Sequence, residues 1–210
     1  MSRIERIVFI TGGVLLPTVT QSALAALNLS WPLDADFQLD LDGQEKKLTT
    51  GKISPQMYCR WIAQSAGDPV DSEALAANIL KTTTLLPGTL PLIKDLSERV
   101  KLGLVSDYPG NWIRPILERT GLSVYFPNDP DLVVGDLGPD SDNATLFSAL
   151  IDRNILTPGR SMWADHNSLR CMAAIRQGVD AGIFVDAQRF YRDFGLWSLV
   201  PFSKKASFLR

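Results

Sequence analysis

The chain has 210 residues, 45% of them hydrophobic and 21% charged, which suffices for one sizeable core and excludes wholesale disorder. Its 21 Lys and Arg against 23 Asp and Glu leave a net charge of −2, with no run of five like charges. That excludes a nucleic-acid binder working through a broad basic face. The apolar runs are also too short to predict a membrane span, which takes about 18 residues or more.

Residues 1–16 read as basic and then apolar, and residues 22–26 are rich in small side chains, an outline that resembles a secretory leader. Glu5 and the Gly12-Gly13 pair count against that reading. Residues 6–11 serve better as a short β-branched strand ended by a glycine turn, so residues 1–26 are expected to stay in the mature protein. Helical patches follow at 22–27, 55–66 and 72–83. The polar stretch 34–48 reads as an exposed loop or hairpin. From Pro87 the pattern turns regular: helix 88–99, strand 101–105, helix 111–120, a short strand 132–134 and helix 141–154. Strand 161–164, helix 169–177 ended by Gly178, and strand 181–185 complete it.

Strands alternating with helices predict an α/β fold, a Rossmann-like parallel sheet with helices on both faces. The helical block between the first two strands is long for a crossover and reads as an insert. The expected division is a core of residues 1–17 and 87–210 and a small helical cap of residues 18–86. Trp61, Trp112, Trp163 and Trp197 are expected in the core or at the cap interface.

Cys59 and Cys171 lie far apart and form no CxxC pair, so buried free thiols in a reducing, cytoplasmic setting are expected. His166 is the single histidine, and a multi-histidine metal site within one chain is excluded.

Ligands of such sheets bind at the carboxyl ends of the strands. Here those ends carry Thr11-Gly12-Gly13, Ser106-Asp107 and Asp165-His166-Asn167. Three segments carry a resemblance: Val8-Phe9-Ile10-Thr11-Gly12-Gly13-Val14-Leu15, Leu102-Gly103-Leu104-Val105-Ser106-Asp107 and Met162-Trp163-Ala164-Asp165-His166-Asn167, with Ala173 to Val179 following. In their order and spacing the chain resembles the haloacid dehalogenase (HAD) superfamily, in the branch with a helical cap after the first strand. The resemblance spans residues 4–185 and is looser over the cap.

That resemblance implies a nucleophilic Asp ending the first strand, a phosphate-binding Ser or Thr ending the second, a basic residue near the third motif, and acidic residues holding Mg²⁺ at the fourth. The sequence departs from it. The nucleophile position falls on Ile10, and the first Asp of the chain is Asp34. The basic position falls near Gly138 or Ser141, yet no Lys occurs between Lys101 and Lys204 and no Arg between Arg119 and Arg153. Ser106 matches the phosphate-binding hydroxyl and Asp165 the first acid of the fourth motif, with His166 where a second acid often stands. Ile10, Ser106 and Asp165 thus read as vestiges of a catalytic set. Asp165 alone is a poor Mg²⁺ ligand set, so no metal or other cofactor is expected unless the site works in another way.

Thr11, Gly12, Gly13, Ser106, Asp107, Asp165, His166 and Asn167 are the ligand-binding candidates. For five of them an ordinary structural role competes: Ser106 and Asp165 as caps of the turn or helix that follows, Gly12-Gly13 as a tight turn, His166 as a satisfied polar side chain. The expectation is a HAD-like protein without catalysis that binds a small anionic ligand or a protein partner. The alternative is a HAD-type hydrolase or phosphatase with displaced residues around Ser106, Asp165 and His166, using Mg²⁺.

Overall fold

The structure is a computed structural model, and it describes residues 4–29, 35–67, 71–126 and 130–193. Five parallel strands form one sheet in the order β3-β2-β1-β4-β5. They are β1 (Arg6–Ile10), β2 (Lys101–Ser106), β3 (Leu132–Val133), β4 (Ser161–Asp165) and β5 (Asp180–Ile183). β1 is central, and Ile7 to Ile10 are fully buried, as a continuous apolar run between two helical layers must be. It pairs with β2 through Ile10 opposite Val105 and with β4 through Phe9 opposite Ala164.

The register decides which helix covers which face. Val8 pairs with Trp163 while Phe9 pairs with Ala164, so Phe9 and Trp163 point to opposite faces of the sheet. On the Phe9 face lies α9 (Ala187–Asp193), whose Phe190 ring centroid is 5.9 Å from that of Phe9. Tyr191 of α9 donates a hydrogen bond to the Leu92 carbonyl of α5 (Thr89–Ser97), which places α5 beside it. On the Trp163 face lies α7 (Asn143–Asp152), with Phe147 edge-on to Trp163 at 5.2 Å. α8 (Ser168–Arg176) packs beside α7. Helices therefore cover both faces, and the predicted α/β Rossmann-like architecture is the one observed. A further helix, α6 (Gly110–Thr120), connects β2 to β3 and ends at Gly121, whose φ of +75° suits glycine.

Between β1 and α5 stand four helices: α1 (Val19–Ala26), α2 (Ala35–Thr49), α3 (Pro55–Ser65) and α4 (Ser72–Thr82). They pack on one another, α1 on α2 and α4, α3 on α2 and α4. α1 starts at a capping box between Thr18 and Gln21, and α3 at the Ser54 cap with Pro55 in its first turn.

α2 overturns the expectation of a loop or hairpin over 34–48, of which Asp34 lies outside the described residues. The stretch is polar because one narrow stripe is covered. Leu41 and Leu48, seven residues apart, are buried, while Leu39, Asp40 and Asp42 face outward. Lys46 and Lys47 in the last turn and Asp36 in the first suit the helix dipole. Gly43, with open space around its Cβ position, made the pattern look less helical than it is.

Smaller differences follow the same logic. β5 ends at Ile183 rather than 185, with one ladder hydrogen bond further on: the Phe184 N–H still donates to the Asp165 carbonyl at 2.8 Å. α9 was not expected. Trp112 and Trp163 are buried and Trp61 stacks on Phe37, as expected of core and packing residues; Trp197 lies outside the described residues. Both cysteines are free and buried, and burial pushes the Cys59 thiol up to about 12. Among the described residues no helix is long and apolar enough to cross a membrane.

Candidate functional site

Ile10, Ser106 and Asp165 end three adjacent strands, with β1 between β2 and β4, so the two outer ends stand about 10 Å apart by strand spacing. The expectation that the three motifs meet at one edge of the sheet is met. What their side chains do there is different.

At the end of β1, Ile10 is an aliphatic side chain with no exposed surface. Thr11 follows, also fully buried, and its hydroxyl donates to Asp107 Oδ1 at 2.5 Å. The Gly12 N–H donates to the same oxygen at 2.8 Å. Gly12 has a steric reason to be glycine: a Cβ there would lie 2.9 Å from Asp107 Oδ2. Gly13 has two, a φ of +72° and the His166 ring, whose Nδ1 would be 2.5 Å from a Cβ. The glycine pair is thus a tight turn that admits two side chains from neighbouring strand ends.

At the end of β2, Ser106 closes a turn. Its Oγ donates to the Tyr108 carbonyl at 2.9 Å and accepts the Tyr108 N–H at 3.1 Å, and the residue is fully buried. Of its two sequence readings, the turn role is the one its hydrogen bonds fill. Tyr108 then reaches away from the sheet. Its hydroxyl donates to the Pro17 carbonyl at 2.8 Å and lies 2.8 Å from Ser22 Oγ, tying the end of β2 to the start of α1.

At the end of β4, Asp165 is fully buried and its carboxylate receives four N–H donors. Oδ1 accepts from Asn167 N at 2.8 Å and Arg170 Nη2 at 3.0 Å. Oδ2 accepts from Trp163 Nε1 at 3.0 Å and Arg170 Nε at 2.6 Å. The Arg170 contact is a bidentate, charge-assisted pair. Burial opposes the Arg170 charge, but the Asp165 carboxylate in contact and the more distant Asp107 raise its pKa overall. Asp165 does not cap α8, one of its two sequence readings. Asn167 does, through Oδ1 accepting from Leu169 N and Arg170 N. His166 Nδ1 lies 3.5 Å from Asp165 Oδ1, while Ser106 Oγ is bound to Tyr108, so these residues do not form a Ser–His–Asp relay.

No basic residue stands near Gly138 or Ser141 in the sequence; the cation beside the β4 end is Arg170. Arg170 stands in the site, five residues past Asp165. Arg160 pairs with Glu5 at 3.7 Å on the surface, and Arg153 ends α7. The sequence carried one signal for Arg170: a cation in the first turn of α8, shortly after Asp165.

A cleft of about 1060 Å³ opens between these strand ends and α2. Of the predicted ligand-binding residues, Asp107, His166 and Asn167 line it; Thr11, Gly12, Ser106 and Asp165 are buried behind it, and Gly13, half-buried, is not part of its lining. Sequence reasoning missed the contribution of α2, which brings Asp42, Glu45, Lys46 and Lys47 to the cleft. Burial raises the Glu45 pKa; the Thr20 hydroxyl, hydrogen-bonded to it, partly offsets this, and the Asp107 charge adds to the rise. The lining is mixed in sign, with Arg170 and the lysines against Asp42, Glu45, Asp107, Asp140 and Asp142.

The resemblance implied Mg²⁺, and the donor set does not fit it. Ile10 offers no oxygen, and both oxygens of Asp165 already accept two N–H groups each, with a guanidinium in contact. Among the described residues no cluster of three or more His, Cys, Asp or Glu side chains is arranged for a metal ion.

No protein-family model matches the chain, and no curated protein matches it. Solved structures do. A HAD-family enzyme from Bacteroides thetaiotaomicron, in complex with magnesium and inorganic phosphate, superposes with a TM-score of 0.61 at 16% identity, covering 87% of this chain and 96% of that one. L-2-haloacid dehalogenase from Xanthobacter autotrophicus superposes with a TM-score of 0.58 at 15% identity, covering 85% of this chain and 76% of that one. At such identity the likeness is one of fold, and the fold is that of the HAD enzymes.

Proposed function

We propose that this chain, built on the HAD hydrolase fold, is a binding protein without aspartyl phosphoryl-transfer or dehalogenase chemistry. One observation carries the reading: the residue at the nucleophile position is Ile10, buried and aliphatic, in a site whose strand-end acid, Asp165, is saturated by Arg170, Trp163 and Asn167. A nucleophile must offer a lone pair, and a metal must find free oxygens; neither is on offer. Helices α1–α4 would act as the cap, with α2 facing the strand ends across the cleft. The mixed lining suits a small polar ligand, uncharged or zwitterionic, better than the anion expected from the motifs.

The alternative of displaced catalysis around Ser106, Asp165 and His166 has less support. Ser106 is buried and bound to Tyr108, and Asp165 lies behind the cleft wall.

Assay of an aryl phosphate with Mg²⁺ tests the reading. Wild type is expected to show no turnover above a blank purified in parallel. Turnover that is lost in Asp107→Ala or Asp165→Asn would overturn the proposal and promote the displaced site.

A further inference from the structure

Asp107 sits in a place its neighbours are built to fill with negative charge. One oxygen, Oδ1, takes both the Gly12 N–H at 2.8 Å and the Thr11 hydroxyl at 2.5 Å, and the residue is only 7% exposed. The backbone at Gly12 carries no side chain that would evict the carboxylate. These donors stand at the carboxyl end of the central strand, where parallel α/β sheets receive their ligands. A backbone N–H and a hydroxyl converging on one oxygen form the kind of cradle that takes an anion.

At the neighbouring strand end the carboxylate is itself paired with a resident cation. Arg170 holds Asp165 through Nε at 2.6 Å and Nη2 at 3.0 Å, a cation resident where a carboxylate would otherwise call for one.

We propose that the cleft floor is self-filled, with the Asp107 carboxylate occupying an anion cradle made by Gly12 N–H and Thr11 Oγ1–H, and Arg170 supplying the cation of the adjoining strand end. The inference rests on the non-catalytic reading above and extends it to ligand choice. The chain's own carboxylate competes with any free anion at a high effective concentration, because it is tethered at the site. The intact protein therefore refuses a phosphate-like group, and a latent phosphate site lies beneath Asp107.

Inorganic phosphate is the probe, used on the full chain with ionic strength matched by chloride. Binding is read by calorimetry and by the shift in Tm. Wild type is expected to give no saturable response at millimolar phosphate. Asp107→Ala and Asp107→Ser free the cradle, and each is expected to bind phosphate at least about tenfold more tightly than wild type, with a rise in Tm that saturates. If either variant is unfolded in dilute buffer, phosphate is expected to restore its far-ultraviolet circular dichroism. Variants that neither bind phosphate nor refold with it overturn the inference. So does wild type that binds phosphate as tightly as the variants. In that last case, an absence of aryl phosphate turnover leaves the non-catalytic reading standing, so the two failures are told apart by separate assays.

Discussion

Arg170 is the residue on which the site's charge balance turns. Its guanidinium is the partner of a carboxylate with no exposed surface, and its own side chain is 17% exposed. A buried pair of this kind is weak evidence for net stabilisation, since both charges lose water. Removing one member is another matter, because the other stays buried and unpaired. Arg170→Ala is expected to cost about 3–5 kcal/mol in urea unfolding, while Asp165→Asn in the Arg170→Ala background should recover part of that loss. A cost below about 1 kcal/mol would mean that Trp163 Nε1 and Asn167 N hold Asp165 unaided. At this scale the sequence was half legible. The missing nucleophile was readable because no Asp precedes Asp34, whatever the alignment. The role of Asp107 was not, because it depends on a contact between strand ends far apart in the chain, residue 11 with 107; that of Arg170 was not, because it depends on how the first turn of α8 folds back onto Asp165.

Among the elements, α2 shows why a polar stretch can still be a wall of the site. Among the described side chains its buried stripe is Leu41 and Leu48, with Glu45 between them, turned toward Thr20 and the cleft. A search for apolar periodicity sees two leucines among charges and reads a loop. The regular helices α5 to α8 were legible because their stripes are wider and their caps are written in the sequence, as at Asp142 and Gly121. Glu45 gives α2 a pH dependence. Burial raises its folded pKa above the unfolded value, so between the two values the folded state binds more protons than the unfolded state. Stability from this group therefore falls as pH rises above about 4.5, and the penalty is fully present above the folded pKa. Glu45→Gln, which keeps the shape and an acceptor for Thr20, is expected to be more stable than wild type at neutral pH. The gain should vanish as pH falls below the ordinary carboxylate range. A gain of equal size at both ends of the pH range would assign the effect to packing rather than to charge.

Across the whole molecule, the sheet order rests on signals that carry no chemistry. The order β3-β2-β1-β4-β5 needs only buried strands, right-handed crossovers and turns, and those signals survive in runs such as Ile7 to Ile10 and Leu104 to Ser106. That is why the fold could be read from one sequence while the ligand could not. Gly103 illustrates the difference: in mid-strand, a Cβ there would lie 2.9 Å from Arg6 Nε and from Asp131 Oδ2, a packing constraint that is indifferent to catalysis. The same separation predicts how hard phosphatase activity would be to install. Ile10→Asp places a carboxylate at a fully buried position, a substitution expected to cost several kcal/mol, of order 2–7, unless it finds donors. A lysine cannot simply be added at Gly138, whose φ of +96° strains any other residue; Ser141, which lines the cleft, is the better position. Yet Ile10→Asp with Ser141→Lys still leaves Asp107 in the anion cradle and Arg170 on Asp165. The double variant is therefore expected to stay inactive toward an aryl phosphate with Mg²⁺, even where circular dichroism finds it folded. Adding Asp107→Ser and Arg170→Asn removes both resident charges and gives turnover its first opportunity. Robust activity in the double variant alone would mean that the resident charges do not block the site.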